Sequence, residues 1–331
     1  MAGNFSTFES GRLSRAPAAD LRGRDLISIA DFTAAELRTI LHRAHSLKAE
    51  RTAGVPHRLL EGKTLAMIFE KPSLRTRCTF ETGMTQFGGH AIDLAQNHMQ
   101  MGTRESVPDV ARNLDRWVDV IMARVFAHQT VVDLAAYARV PVINGLSDHS
   151  HPCQILADLQ TIEEHRGRLT TLKVAYVGDG NNVTTSLIYA AGILGMDLHV
   201  GAPAGYQPTA DVLDRARAQA TGSDGEIVVH ADPVAAVDGA DVIYTDAWVS
   251  MGQEAESAER MRVFPPFQVN GALLAHAQPD AIVMHCLPAH RGLEITDEVM
   301  DGPQSVVFDQ AENRVHAQQA VLLLLMGRAS Q

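Results

Sequence analysis

Short apolar runs of strand length, most of them separated by helical patterns, recur along almost the whole chain, and this alternation limits the fold more than any other feature. The runs fall at 64–69, 91–95, 119–125 and 141–146, then at 173–178, 197–202, 226–230, 241–247, 281–287 and 305–309. A strand, helix, strand rhythm predicts parallel sheets covered by helices. Between the two groups lies the charged stretch Glu163-Glu164-His165-Arg166-Gly167-Arg168, after which the rhythm restarts. The reading is therefore an α/β protein of two doubly wound parallel-sheet domains, with a leader at 1–24, a first domain at 25–167 and a second at 168–331 whose last helix packs back toward the first. In such sheets ligands bind beyond the carboxyl ends of the strands, so the site is expected in the cleft between the domains. Thr33-Ala-Ala-Glu36 has the form of a capping box, and Leu37, Ile40, Leu41, Ala44 and Leu47 then share one helical face.

The 331 residues suffice for two domains of ordinary size, and 46% hydrophobic content supplies a core without staples. The net charge of -11 argues against nucleic acid or an anionic membrane as partner, because both repel a chain of that sign. Residues 320–326 form an apolar run far shorter than the roughly 20 residues of a membrane span. Three cysteines, Cys78, Cys153 and Cys286, fit a reducing compartment better than a disulfide framework, and a cytoplasmic location is expected. The leader carries Arg12, Arg15 and several Ser, but Glu9 and Asp20 are wrong for a transit peptide, so it is read as poorly ordered.

The first chemical cluster follows the run at 64–69. Glu70-Lys-Pro-Ser-Leu-Arg-Thr-Arg77 leads into a helical pattern beginning near Thr76, which places Ser, Thr and two Arg at a helix N-terminus. Free N–H groups and guanidinium forks there suit a phosphate. Standing alone, the cluster reads equally well as a solvated face with Ser73 as an N-cap. Two more strand ends join it, however: Arg124 after 119–122, and His151-Pro-Cys-Gln154 after 141–146. Imidazole and amide side by side suit a carbonyl or carbamoyl group. His149, His151, Cys153, His285 and Cys286 raise zinc as an alternative, but their spacing departs from the usual ligand patterns and no metal is expected.

The second cluster is of another kind. Asp246-Ala-Trp-Val-Ser-Met-Gly252 follows a strand and offers a carboxylate and a hydroxyl to an ammonium group, and Gly178-Asp-Gly-Asn-Asn182 makes a tight turn with amide side chains. That turn begins like a dinucleotide fingerprint, yet Val183 stands where the third glycine belongs, so no nicotinamide cofactor is expected. His285-Cys-Leu-Pro288 ends the run at 281–287, and Arg314 follows the run at 305–309. A thiol beside a cationic amine favours the thiolate.

Taken in order, Ser73-Leu-Arg-Thr-Arg77, His151-Pro-Cys-Gln154, Asp246-Ala-Trp-Val-Ser-Met-Gly252 and His285-Cys-Leu-Pro288 resemble the signatures of the ornithine carbamoyltransferases, over nearly all the chain after the leader. The resemblance implies transfer of the carbamoyl group of carbamoyl phosphate to L-ornithine, giving citrulline and phosphate, without a cofactor. It implies that Ser73, Leu74, Arg75, Thr76, Arg124, His151, Gln154 and Arg314 bind carbamoyl phosphate, joined by Gln100 from a neighbouring subunit of a homotrimer or a multiple of trimers. It assigns Asn182, Asp246, Ser250, Met251, Cys286 and Leu287 to ornithine, with Arg124, His151 and Cys286 acting on the reacting groups. Leu74 replaces the family's commoner Thr, as in carbamoyltransferases for acylated ornithine. The alternatives are thus a related amine acceptor, or a non-catalytic binding protein of the same fold.

Overall fold

The computed structural model describes residues 19–95, 101–220, 225–250 and 252–327. Thr33 caps α1 (Ala34–Thr52) reciprocally with Glu36, and the helix buries the five apolar residues its spacing predicts. A first sheet follows, built from β1 (Thr64–Phe69), α2 (Leu74–Gln86), β2 (His90–Ala95), α3 (Val107–Leu114), β3 (Val120–Arg124), α4 (His128–Tyr137), β4 (Val142–Leu146) and α5 (Pro152–Arg166). The second comprises β5 (Lys173–Val177), α6 (Asn182–Leu194), β6 (Asp197–Gly201), α7 (Ala210–Gln219), β7 (Ile227–His230), α8 (Pro233–Val237) and β8 (Val242–Thr245). It continues with α9 (Ser257–Val263), α10 (Gly271–Leu274), β9 (Ile282–His285), α11 (Asp297–Met300) and the closing α12 (Val307–Met326).

All pairings between these strands are parallel, in the orders β2-β1-β3-β4 and β7-β6-β5-β8-β9. Leu65, Ala66, Met67 and Ile68 are all buried, as is every residue of β3, because helices cover both faces of the sheet. Each order reverses at one place, between β1 and β3 in the first sheet and between β5 and β8 in the second. At these switch points neighbouring crossovers leave in opposite directions and open a crevice at the strand ends. The strand ends at both crevices carry the residues singled out above: 70–77 after β1, Arg124 at the end of β3, 178–182 after β5 and 246–252 after β8.

One expected strand is absent. At 305–309, Ser305 forms only an isolated bridge with Val283 and Val306 donates to the Val283 carbonyl, after which α12 begins at Val307. Arg314 therefore sits within a helix rather than beyond a strand. That helix packs against α5, α1 and α2, elements of the first half, and buries Gln310, Asn313, Arg314, His316, Gln318 and Gln319 among its apolar residues. Asn313 shows how such polarity is tolerated: its amide takes the Lys48 ammonium at 2.8 Å and donates to Thr161 at 2.9 Å and to Glu164 at 2.8 Å. The tail of the expected leader is also built in, with Leu21 buried and the Gly23 N–H donating to the Leu325 carbonyl at 3.0 Å. No helix among the described residues is long and apolar enough to cross a membrane.

Candidate active site

A cavity of about 790 Å³ opens between the two sheets. Its walls include Ser73, Leu74, Arg75, Thr76, Arg124, His151, Gln154 and Arg314 on one side and Asn182, Asp246, Ser250, Cys286 and Leu287 on the other. Gln100 and Met251 lie outside the described residues.

Local structure explains the cationic wall. Ser73 caps α2 by accepting the Thr76 N–H at 3.2 Å, so the first turn of the helix lines the cavity, with Leu74 exposed. Arg75 is half-buried there, Arg124 is buried at the end of β3, and Arg314 reaches in from α12. Arg77, the second arginine of the motif, turns away to Asp93 at 3.2 Å and Glu81 at 3.7 Å. The buried guanidinium of Arg314 rests on neutral acceptors: Gln154 Oε1 at 2.6 Å, Thr76 Oγ1 at 3.3 Å and, with its amide oxygen turned inward, Gln318 at 2.9 and 3.2 Å.

Among the described residues none of the three cations has a carboxylate within ion-pair distance, and Arg124 Nε and His151 Nδ1 are buried without hydrogen-bond partners. Burial, with Arg314 and Arg75 nearby, brings Arg124 down to about 10. The same burial and the three guanidiniums hold His151 well below the usual imidazole range, so it is neutral at physiological pH. Three mutually repelling cations with orphaned donors around an open space form a site for an anion.

The opposite wall is organised by Asp246. Its Oδ1 accepts from the Ala247 N–H and from Cys286 Sγ, both at 2.8 Å, and its Oδ2 accepts from Asn181 Nδ2 at 2.8 Å. Gly180 has no room for a side chain, since a Cβ would meet the backbone of Gln207 and Pro208 at 2.6 and 2.5 Å. That close approach sets the turn holding Asn181 against Asp246. The loop after β8 is pinned by Arg260, which donates to Asp179 and to the Trp248 carbonyl, each at 2.8 Å.

Two models of family domains match the chain. The carbamoyl-P binding domain of aspartate/ornithine carbamoyltransferase matches residues 24–164, and the Asp/Orn binding domain matches residues 170–325. The chain belongs to the aspartate/ornithine carbamoyltransferase family. It is 58% identical over 307 residues to the ornithine carbamoyltransferase of Thermococcus kodakarensis, covering 93% of this chain and 98% of that one. The anabolic ornithine carbamoyltransferase of Pyrococcus furiosus is equally similar, at 58% over 307 residues with the same coverage. Among solved structures, ornithine carbamoyltransferase from Pyrococcus furiosus superposes with a TM-score of 0.92 at 57% identity, covering 94% of this chain and all of that one. The enzyme from Thermus thermophilus gives 0.82 at 47% identity, covering 91% of this chain and 98% of that one.

Within this family member the expectation of a Cys286 thiolate does not hold. Burial, then the adjacent Asp246 carboxylate, push the thiol well above its ordinary value, and it donates a hydrogen bond instead. Asp246, His285 and Cys286 bring donor atoms within 4.8 Å of one another. They are not an open ligand set: Cys286 and Asp246 are bonded to each other, while both ring nitrogens of His285 are engaged elsewhere, Nδ1 accepting from the Leu287 N–H at 2.9 Å and Nε2 meeting Glu294 at 3.1 Å. Gln154 and Asn182 are engaged by the protein too, Gln154 with Asp158 and Arg314, Asn182 with the Ser147 carbonyl at 2.5 Å.

Sequence reasoning missed Asn181, which bonds Asp246 where Asn182 does not, and Lys71, which is buried over the Phe126 ring and lines the cavity. The adjacency of two Asn left their roles unresolved, and Lys71 was legible only as part of the 70–77 motif. Alkylation tests the thiol assignment. At pH 7.5 exposed Cys78 is expected to react at least about tenfold faster than Cys286, which is buried and whose thiol is held well above its ordinary value, each unit of that rise being a tenfold loss of thiolate. Equal labelling, read by peptide mass spectrometry, would return Cys286 to a thiolate.

Proposed function

We propose that this chain transfers the carbamoyl group of carbamoyl phosphate to the δ-amine of L-ornithine, yielding citrulline and phosphate. The observation that carries this reading is the pairing, across one cavity, of a cationic wall lacking acid partners with a wall centred on the Asp246 carboxylate. Arg75, Arg124 and Arg314 neutralise the phosphate, while Ser73, Leu74 and Thr76 present the helix N-terminus to it. Thr76, Arg124 and His151 donate to the carbamoyl oxygen as negative charge develops. Asn182, Asp246, Ser250 and Met251 bind ornithine, Asp246 taking its α-ammonium, with Cys286 and Leu287 beside the reacting amine.

The amine nitrogen forms a bond to the carbamoyl carbon, the bond from that carbon to the phosphate oxygen breaks, and the departing phosphate takes the amine proton. A biosynthetic role in arginine metabolism follows the name of the Pyrococcus furiosus relative. We assign the carbamoyl-phosphate half to 25–167 and the acceptor half to 168–331. The assembly is a homotrimer or a multiple of trimers, in which Gln100 of a neighbouring subunit reaches the phosphate. A cytoplasmic setting agrees with three free cysteines.

The test is citrulline formation with ornithine set against acylated ornithine, putrescine and aspartate. A free α-ammonium is what Asp246 pairs with, so ornithine is expected to be preferred. Because the δ-amine resembles lysine, with a reference pKa of about 10.4, the rate at limiting ornithine should climb as pH rises from 7 to 9. Carbamoyl phosphate bound without transfer to any amine would leave only a binding protein.

A further inference from the structure

The two walls are joined by a fully buried carboxylate that belongs to neither. Asp158 lies in the middle of α5, one turn beyond Gln154, with no exposed surface. Its Oδ1 accepts from Gln154 Nε2 at 2.8 Å and from Gln310 Nε2 at 2.7 Å, and its Oδ2 accepts from the Tyr244 hydroxyl at 2.8 Å. Each glutamine has its amide nitrogen toward Asp158 and its oxygen directed outward. Gln154 Oε1 accepts from Arg314 Nη1 at 2.6 Å, and Gln310 Oε1 accepts from the His285 N–H at 2.9 Å. The residue after His285 is Cys286, bonded to Asp246.

An ionised carboxylate offers acceptors only, so both amides must turn their N–H groups to it and their oxygens away. Burial raises Asp158 to about 6 against the pull of its three donors, which leaves it charged at neutral pH. A reversed Gln154 would aim N–H groups at a guanidinium, and a reversed Gln310 would aim them at a backbone N–H. Both arrangements leave buried donors facing donors.

We propose that Asp158 is a positioning residue that fixes the amide polarity of Gln154 and Gln310, and so holds Arg314 on the carbamoyl-phosphate side and the His285–Leu287 turn on the amine side in register. The inference rests on the transferase reading above. Gln154 is a contact shared with the anion wall, whereas Asp158, Gln310 and Tyr244 stand behind it and do not line the cavity.

The decisive comparison uses three variants. Asp158→Leu removes the acceptor and is expected to lower kcat/KM for both substrates by about 10- to 100-fold, the usual cost of losing a supporting hydrogen bond behind a site. Asp158→Asn can keep Oδ1 on both amides by placing its own NH2 on the Tyr244 oxygen, and should recover to within about fivefold of the parent. Gln310→Leu cuts one branch only. It should lower kcat/KM for ornithine about tenfold while the Kd for inorganic phosphate, by calorimetry, stays within about threefold of the parent.

A general loss of packing would move phosphate and ornithine together and would not be rescued by Asn. The inference is overturned if the Asn variant is no better than the Leu variant, or if Gln310→Leu weakens phosphate as much as ornithine. Should Asp158→Leu fail to fold, the Gln310→Leu split and the near-parental Asn variant still decide it. If the parent makes no citrulline, the acceptor reading fails by itself, and phosphate affinity of the two Asp158 variants still tests the branch to Arg314.

Discussion

Arg124→Met is expected to abolish nearly all citrulline formation while leaving the protein as stable as the parent or more so. Arg124 serves both the phosphate and the carbamoyl oxygen in the proposed geometry. Losing an oxyanion donor costs on the order of 10²–10³ in rate, and losing a charge-assisted bond to the phosphate adds about 1.5–3 kcal/mol. The two together imply a fall in kcat/KM of about 10³-fold or more. Stability should move the other way. The side chain is buried, its Nε has no partner, and Arg75 and Arg314 repel it, so Met removes an uncompensated charge at similar volume. Inorganic phosphate should raise the parent's Tm and leave the variant's almost unmoved. A variant keeping a tenth of the parental kcat/KM would remove Arg124 from the chemistry.

Asp246→Asn is the second large effect, and it should fall on one substrate only. A buried carboxylate gripping an ammonium group contributes about 2–5 kcal/mol when its charge is withdrawn, so kcat/KM for ornithine should drop on the order of 10²–10³. The KM for carbamoyl phosphate should change by less than about threefold, because Asp246 accepts from Ala247, Asn181 and Cys286 and from none of the three arginines. The variant carries its own control. With the neighbouring carboxylate gone, one of the causes holding the Cys286 thiol high disappears, and Cys286 should alkylate faster than in the parent. Equal losses on both substrates would mean that Asp246 shapes the whole cavity rather than the amino-acid end.

Both variants were accessible from sequence because strand ends are where a doubly wound sheet presents chemistry, and those ends are marked by polar residues after apolar runs. Arg75, Arg124, His151 and Asp246 stand out for that reason. What was hidden is of two kinds. The run at 305–309 carries three apolar residues in a row like a buried strand and even forms one bridge, but its hydrogen bonding lasts too short a distance before α12 starts. The buried Gln310, Asn313 and Arg314 interrupt that helix's apolar face, which blurred its start. The other kind is internal polarity. Asp158, Tyr244 and Gln310 sit within regular elements, where a one-dimensional pattern cannot tell a core hydrogen bond from a solvated side chain. The Cys286 thiol was misread for a related reason: an adjacent carboxylate 40 positions away in sequence reverses the effect of nearby cations.

The placement of Arg314 on the final helix has a consequence for biosynthesis of the protein. A ribosome emits the chain from its N-terminus, so α1, α2 and α5 are all made long before the helix that packs on them and supplies the third guanidinium. Until that stretch emerges, α1, α2 and α5 must wait with the faces that receive it uncovered.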